Sequence, residues 1–373
     1  MIATPTETAS TPFSRPLSLT IGLLGCGVVG GGVAARLLER EELLGVPVRL
    51  GRILVRDLHK PRTPAGAIPF LTTDPAEILG DPSVNVVVEA IGGIEPARTY
   101  VERALRAGKH VVTSNKALIA AHGGELSVVA QQSHAALRYE ASVAGAVPVV
   151  RTLAEILSAE EIVELSGVLN GTSNFVVQAM RRGGTLDEAI ALAQEAGYAE
   201  ADPSDDLDGV DAARKLSVLA PLAFGRRISA DAIARRSLRT LNPRDFADAR
   251  SAGAAIVPLA MLRRRGDRLE ALVAPVLVRD DHPFTRLVGP ENMLRVVGEH
   301  SGTLTFSGHG AGREATASAV LSDLAEIARR RARWQTQSVA STDFPEKSPS
   351  LPDFEIHRGG LARFDYEREL IGA

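Results

Sequence analysis

Ser18-Leu19-Thr20-Ile21-Gly22-Leu23-Leu24-Gly25-Cys26-Gly27-Val28-Val29-Gly30 reads as a short apolar strand that runs directly into Gly-x-Gly-x-x-Gly. Helical character follows over Val33 to Glu39. In strand–turn–helix context the glycines allow a tight turn and let backbone N–H groups approach a pyrophosphate at the helix N-terminus. The expectation is a dinucleotide site at Gly25, Gly27, Val28, Val29 and Gly30. A tight turn without a ligand is the alternative.

Working outward, Val48 to Val55 is the next strand and ends in Val55-Arg56-Asp57. A free ribose 2′-hydroxyl takes an acid at this strand end, whereas a 2′-phosphate takes an arginine. Both stand here side by side. Arg56, with Lys60 in support, favours NADP(H) over NAD(H); a solvated strand end is the structural alternative. Val84 to Ala90 is a nearly continuous apolar strand of the kind buried on both faces of a parallel sheet. Ile91-Gly92-Gly93 follows, then a helix from Pro96 to Ala107, and a strand from His110 to Thr113 leading into Ser114-Asn115-Lys116. That places Lys116 at the carboxyl end of a strand, where open α/β sheets hold ligands. A helix and Leu137 to Glu140 complete the alternation. The fold class is α/β: a Rossmann-type dinucleotide-binding domain over residues 17–145, joined to an α+β domain over 146–310.

The second domain begins beyond a hinge at Glu140 to Pro148. Strands are expected at Glu161 to Leu169, at Ala271 to Leu277 and, more weakly, near Leu304. Between them the turn Leu169-Asn170-Gly171-Thr172-Ser173-Asn174-Phe175 offers Thr172, Ser173 or Asn174 as the cap of a helix starting at Phe175. Its N–H groups also suit a substrate carboxylate. Thr185 and Glu188 have capping-box spacing, with Gly197 as the stop of that helix. The chain then crosses an acidic loop, Glu200 to Asp208, and re-enters a helix near Asp208 to Asp211, either of which could cap it. Asp211 and Lys215 are four apart and so share one helix face. A carboxylate that holds an ammonium beside a lysine that carries a proton suits an amino-acid substrate with a carbonyl. A solvated surface pair is the bland alternative. A calcium loop is disfavoured, because Ser204 and Lys215 stand where an EF-hand needs Asp and Glu. Gly308 to Gly312 is the last glycine-rich turn and leads into a helix from about Thr316 to Ala332.

The 373 residues carry 45% hydrophobic and 23% charged side chains with a net charge of −3, a soluble-enzyme balance that implies neither nucleic acid nor a membrane surface as partner. Cys26 is the single cysteine, so no intrachain disulfide can form and a reducing compartment is favoured. Residues 1–16 are rich in Thr, Ser and Pro and read as a disordered tail without a signal peptide. No apolar run is long enough for a transmembrane helix. The eight histidines show no zinc-ligand spacing.

These stretches together, spanning about Leu19 to Arg333, resemble homoserine dehydrogenase. The pieces that carry the likeness are Gly25 to Gly30, Val55-Arg56-Asp57, Thr113-Ser114-Asn115-Lys116, Tyr139-Glu140-Ala141-Ser142-Val143, Gly167 to Asn174, Gly197 to Leu216 and Gly308 to Val320. The resemblance implies reversible NAD(P)H-dependent reduction of L-aspartate 4-semialdehyde to L-homoserine, on the cytoplasmic route to threonine and methionine. It assigns Lys215 as proton donor, Asp211 as the carboxylate that positions substrate, Glu200 as the group binding substrate amine or hydroxyl, and Asp206 as a further acid of the pocket. Lys116 lies near nicotinamide and substrate, and Gly312 contacts the cofactor. The carbonyls of Val143, Gly145 and Val147, with Glu140, correspond to a monovalent cation site for sodium or potassium; their alternate spacing suits an extended segment. The helix 311–333 completes the first domain, and a homodimer forms through the sheets of the second. The segment 335–373 is a tail without the regulatory ACT domain that many members carry. Hydride arriving at an aldehyde carbon leaves an alkoxide, and either lysine can supply its proton, helped by a lowered pKa. Two other classes remain: a dehydrogenase for another imine or sugar aldehyde, which would lack the Glu200, Asp211, Lys215 set, and a non-catalytic NADP sensor, which would lack one of the lysines.

Overall fold

The computed structural model describes residues 18–337. The first half of the chain folds as β1 (Leu19–Leu24), α1 (Val28–Leu38), β2 (Glu42–Leu43), β3 (Val46–Leu54), β4 (Leu71–Thr72), α2 (Ala76–Leu79), β5 (Val86–Glu89), α3 (Ala97–Arg106), β6 (His110–Thr113), α4 (Lys116–Gln132) and β7 (Leu137–Arg138). The strands form one sheet in the order β2-β3-β1-β5-β6-β7, with β4 also paired to β3. All pairings are parallel except β2 with β3. Every residue of β1 and β5 is buried, which explains why both are apolar except for Thr20 and Glu89. β1 lies between β3 and β5, so the order of strands reverses there, and a ligand crevice opens at their carboxyl ends.

Helix α1 begins at Val28, earlier than its apolar pattern suggests, because three glycines occupy its first turns. A Cβ at Gly30 would come within 2.1 Å of the Gly25 carbonyl oxygen, and one at Gly31 within 2.4 Å of the Thr63 oxygen. Helix propensity yields here to close backbone packing.

The second half folds as β8 (Ile162–Val168), α5 (Gly171–Arg181), α6 (Leu186–Glu195), α7 (Ser204–Leu207), α8 (Val210–Phe224), β9 (Ala234–Arg235), α9 (Pro243–Ser251), β10 (Ala254–Arg265), β11 (Arg268–Arg279), β12 (Glu291–Gly298), β13 (Gly302–His309) and α10 (Arg313–Gln337). Its six-stranded sheet runs β13-β12-β8-β10-β11-β9. Three of these strands match the sequence reading, β8, β11 and β13, while β10, β12 and the two-residue β9 depart from it. Pro258 and three successive arginines masked β10; Pro258 is tolerated opposite Pro275 in the antiparallel pair with β11. Burial alternates strictly along β12, but its sequence does not, because Met293-Leu294 and Val296-Val297 are adjacent apolar pairs and the buried face includes Asn292.

Two helix starts also differ from expectation. Asn170, not Thr172, Ser173 or Asn174, caps α5: its Oδ1 accepts the Ser173 N–H at 2.7 Å, and the helix starts at Gly171 instead of Phe175. Neither Asp208 nor Asp211 caps α8. Gly209 turns the chain there with φ +73°, the Asp208 carboxylate accepts the Ser237 hydroxyl at 2.5 Å, and α7 is interposed. The Thr185–Glu188 capping box on α6 is present as expected.

Helix α10, the last element among the described residues, returns to the first sheet. Ala317, Val320, Leu324 and Ile327 pack in one core with Leu19, Ile21, Val33 and Ala34. It extends to Gln337, so residues 335–337 are helical where a tail was expected. The segment 1–16 and the tail beyond Gln337 lie outside the described residues. No helix among the described residues is long and apolar enough to cross a membrane.

Candidate active site

The crevice at the end of β1 is a cavity of about 700 Å³ lined by Gly25, Cys26 and Gly27 on one side and Arg56, Lys60 and Arg62 on the other. Gly25 has φ +101°, and a Cβ there would lie 2.6 Å from the Ala90 oxygen, so glycine is required. A Cβ at Gly27 would meet nothing within 4 Å. The α1 N-terminus carries no side-chain cap, which leaves backbone N–H groups for an anion. These features fit a dinucleotide pyrophosphate. Arg62 donates to the Cys26 carbonyl and to the Asp57 carbonyl, each at 3.1 Å, and so ties the glycine turn to the end of β3. The Asp57 carboxylate accepts the His59 N–H at 2.8 Å within its own loop. Gly30 lies packed beneath the turn, and Val28 is 68% exposed on α1.

A second cavity, of about 810 Å³, adjoins the same turn through Val29 and the α10 entry through Gly312. Lys116, Glu200, Asp206, Asp211 and Lys215 all line it. Lys116, expected near both ligands, lines this cavity. Asp211 and Lys215 are 6% and 8% exposed. Asp211 is held between the two lysines: Lys116 Nζ lies 2.8 Å from Oδ1 and Lys215 Nζ 2.6 Å from Oδ2. Lys215 also donates to the Leu169 carbonyl at 2.7 Å. Asn170 Nδ2 donates to Asp211 Oδ2 at 2.8 Å and to Asp206 Oδ1 at 2.7 Å, drawing both carboxylates onto one amide. Glu200 is exposed at the edge of the acidic loop.

The charges follow from these contacts. Burial opposes a charge on Asp211, but Lys215, Lys116 and the Asn170 amide outweigh it and hold its carboxyl well below the usual range. Burial likewise opposes the Lys116 ammonium, yet the Asp211 charge and hydrogen bond raise its pKa overall. The lowered lysine pKa expected from desolvation is therefore not found at Lys116, because a carboxylate sits against it. Burial pushes the Asp206 carboxyl up, reinforced by the Asp211 charge and opposed by Asn170. Two neighbouring acids are thus driven apart.

The Glu140 to Val147 segment is buried except at Ala146, and it turns at Ala144 and Gly145 instead of running extended. Ala144 and Gly145 have φ +54° and +55°, and Ala146 N–H and Val147 N–H donate to the His309 and Ala144 carbonyls. The alternating-carbonyl geometry expected of an extended strand is replaced by a left-handed turn pressed against Gly310. Glu140 is 3% exposed, and its carboxylate accepts the Val150 and Arg151 N–H groups at 2.9 and 2.8 Å.

Asn170, Arg62 and the Leu169 carbonyl were not singled out from sequence as parts of the site. Asn170 carried a signal, as the first residue of a Gly/Asn-rich turn before an apolar helix; the other two depend on tertiary packing.

A dinucleotide crevice that shares its glycine turn with a lysine-bearing cavity defines a nicotinamide-nucleotide-dependent oxidoreductase. The family described as "Homoserine dehydrogenase, NAD binding domain" matches residues 25–140, and "Homoserine dehydrogenase" matches 148–325. The homoserine dehydrogenase of Lactococcus lactis is 38% identical over 322 residues, covering 84% of this chain and 75% of that protein. That of Synechocystis is 40% identical over 319 residues, covering 83% and 73%. The crystal structure of the Thiobacillus denitrificans homoserine dehydrogenase superposes with a TM-score of 0.81 at 39% identity, covering 85% of this chain and 74% of that one. The chain belongs to the homoserine dehydrogenase family. It is an oxidoreductase of amino-acid biosynthesis that interconverts L-aspartate 4-semialdehyde and L-homoserine with NAD(P)H.

Proposed function

We propose that Lys215 and Lys116 share the work at the substrate oxygen, with Asp211 fixing both, and that Lys215 is the proton donor. The observation that carries this is the single buried carboxylate bridging two ammonium groups at 2.6 and 2.8 Å. Bound NAD(P)H supplies the hydride. Lys215, anchored by Asp211 and the Leu169 carbonyl, delivers its Nζ proton to the oxygen that becomes the homoserine hydroxyl. Lys116 adds a second positive charge where the alkoxide develops. Glu200 holds the substrate amino group from the acidic loop, and Asp206, held by Asn170, adds attraction for the same ammonium.

Gly25, Gly27, Val28, Val29, Gly30 and Gly312 are the proposed nucleotide contacts. NADP(H) is the preferred cofactor. Arg56, Lys60 and Arg62 line that cavity, and the Asp57 carboxylate is engaged by its own loop. Turnover of aspartate 4-semialdehyde, followed by absorbance with NADPH and NADH in parallel, tests this. Arg56→Ala should raise KM for NADPH about tenfold or more and leave that for NADH little changed; equal effects on both would remove the 2′-phosphate assignment.

The proposed cation site, the carbonyls of Val143, Gly145 and Val147 with Glu140, rests on the chemistry of an all-oxygen donor set suited to a hard cation, sodium or potassium, and not on extended spacing, which the turn at Ala144 and Gly145 replaces. A thermal midpoint that rises with sodium or potassium chloride and not with choline chloride would support that site; identical curves would remove it. The division into a nucleotide domain over 17–145 closed by α10 and a substrate domain over 146–310, a homodimer built on the six-stranded sheet, a cytoplasmic location and a place on the route to methionine as well as threonine complete the reading.

A further inference from the structure

Outside the reacting groups, the first sheet buries a carboxylate that the mechanism above does not use. Glu89, the last residue of β5, is 0% exposed. An isolated charge there would be costly, so its partners are informative. Oε1 accepts the Ile91 and Gly92 N–H groups at 2.7 and 3.1 Å, and Oε2 accepts the Thr113 hydroxyl at 2.5 Å. The parallel register sets Glu89 opposite Thr113 across β5 and β6. Thr113 Oγ1 in turn accepts the Asn115 N–H at 3.0 Å. Asn115 Nδ2 then reaches back to the Gly93 carbonyl at 2.6 Å, while its Oδ1 caps α4 by accepting the Leu118 N–H at 3.1 Å.

The loop Ile91–Gly92–Gly93 is therefore gripped at both ends. Its first two N–H groups are held by Glu89 and its last carbonyl by Asn115. Gly92 and Gly93 have φ +79° and +72°, conformations that side chains of L-residues resist, so the glycines let the loop take this shape and the network keeps it. Ile91 and Gly92 line the nucleotide cavity. Lys116 is the first residue of the helix that Asn115 caps, and it reaches Asp211 in the substrate cavity.

We propose that Glu89, Thr113 and Asn115 are positioning residues that couple the nucleotide-side loop Ile91–Gly93 to Lys116, so that seating the cofactor and aiming the Lys116 ammonium are one event. This rests on the role assigned to Lys116 above. A fully satisfied buried network of this kind acts as a unit, and a double-mutant cycle apportions its effect.

The test uses Asn115→Ser, with Thr113→Val as a second variant, each made in the wild type and in Lys116→Ala. Serine keeps the helix cap but is too short to reach the Gly93 carbonyl. In the wild-type background Asn115→Ser should lower kcat about tenfold and weaken NADPH binding several-fold. In Lys116→Ala it should still weaken NADPH binding but cost little further kcat, and Thr113→Val should behave alike while Thr113→Ser restores the wild-type values. Equal kcat losses in both backgrounds, with Lys116→Ala itself impaired, would overturn the coupling and leave the role of Lys116 standing. Normal turnover by Lys116→Ala would overturn both.

Discussion

Asp211 and Asp206 accept from the same Asn170 amide, yet their environments separate them. Asp211 faces two ammonium groups and stays ionised far into acid, whereas Asp206 is raised by burial and by the Asp211 charge. As pH falls through that raised value, above the ordinary carboxylate range near about 4, Asp206 takes up a proton and the cavity loses attraction for a substrate ammonium. The fall of kcat/KM on the acid side should therefore follow Asp206. Asp206→Asn should show a low and nearly flat acid limb; an unchanged limb in that variant would assign it to another group. Of this constellation, the Asp211–Lys215 pair was legible because four residues make one helical turn. Lys116 was legible only as a strand-end lysine. Its meeting with Asp211 joins residues 95 positions apart, which no local pattern encodes. Asn170 was passed over because three neighbouring residues are equally good caps by type, and the backbone chose the first polar one.

Strands that bury both faces are legible directly, whereas elements with an open face are legible only in part: β8, β11, β13 and α6 but not β9, β10 or β12. β1 and β5 read directly as apolar runs, and α6 by its capping box. β10 is hidden behind Pro258 and its arginines, and its burial alternates only from Ala260 to Arg263: Ala260 and Leu262 are fully buried in the core that contains Leu216 and Leu219 of α8. Met261 and Arg263 therefore point to the other face of the sheet, where Met261 stands opposite Ser166 of β8 and Leu272 of β11, and Arg263 pairs with Glu164 at 2.5 Å. A half-buried central methionine on that face suits a partner sheet. On the proposed homodimer, Met261→Glu should shift sedimentation from dimer to monomer while the circular dichroism spectrum is kept; a persistent dimer would move the interface elsewhere, and a wild type that sediments as a monomer would remove the dimer itself.

At the scale of the whole molecule, α10 joins the last part of the chain to the first sheet, and the turn before it brings Gly310 and Gly312 to the cavity that Val29 and Lys215 also line. The nucleotide crevice and the substrate cavity thus meet at one glycine turn, which is what transfer between a cofactor and a carbonyl requires. The sequence order of the motifs indicated both halves, but their convergence is a property of the closed fold. The proton donor proposed for the substrate oxygen is Lys215, held by Asp211 and the Leu169 carbonyl. The decisive measurement is kcat for NADPH-dependent reduction of aspartate 4-semialdehyde by Lys215→Ala, with NADPH affinity measured alongside. Proton donation by Lys215 requires a fall of about 10²- to 10⁴-fold in kcat with NADPH binding retained. A folded variant with near-normal turnover would contradict it.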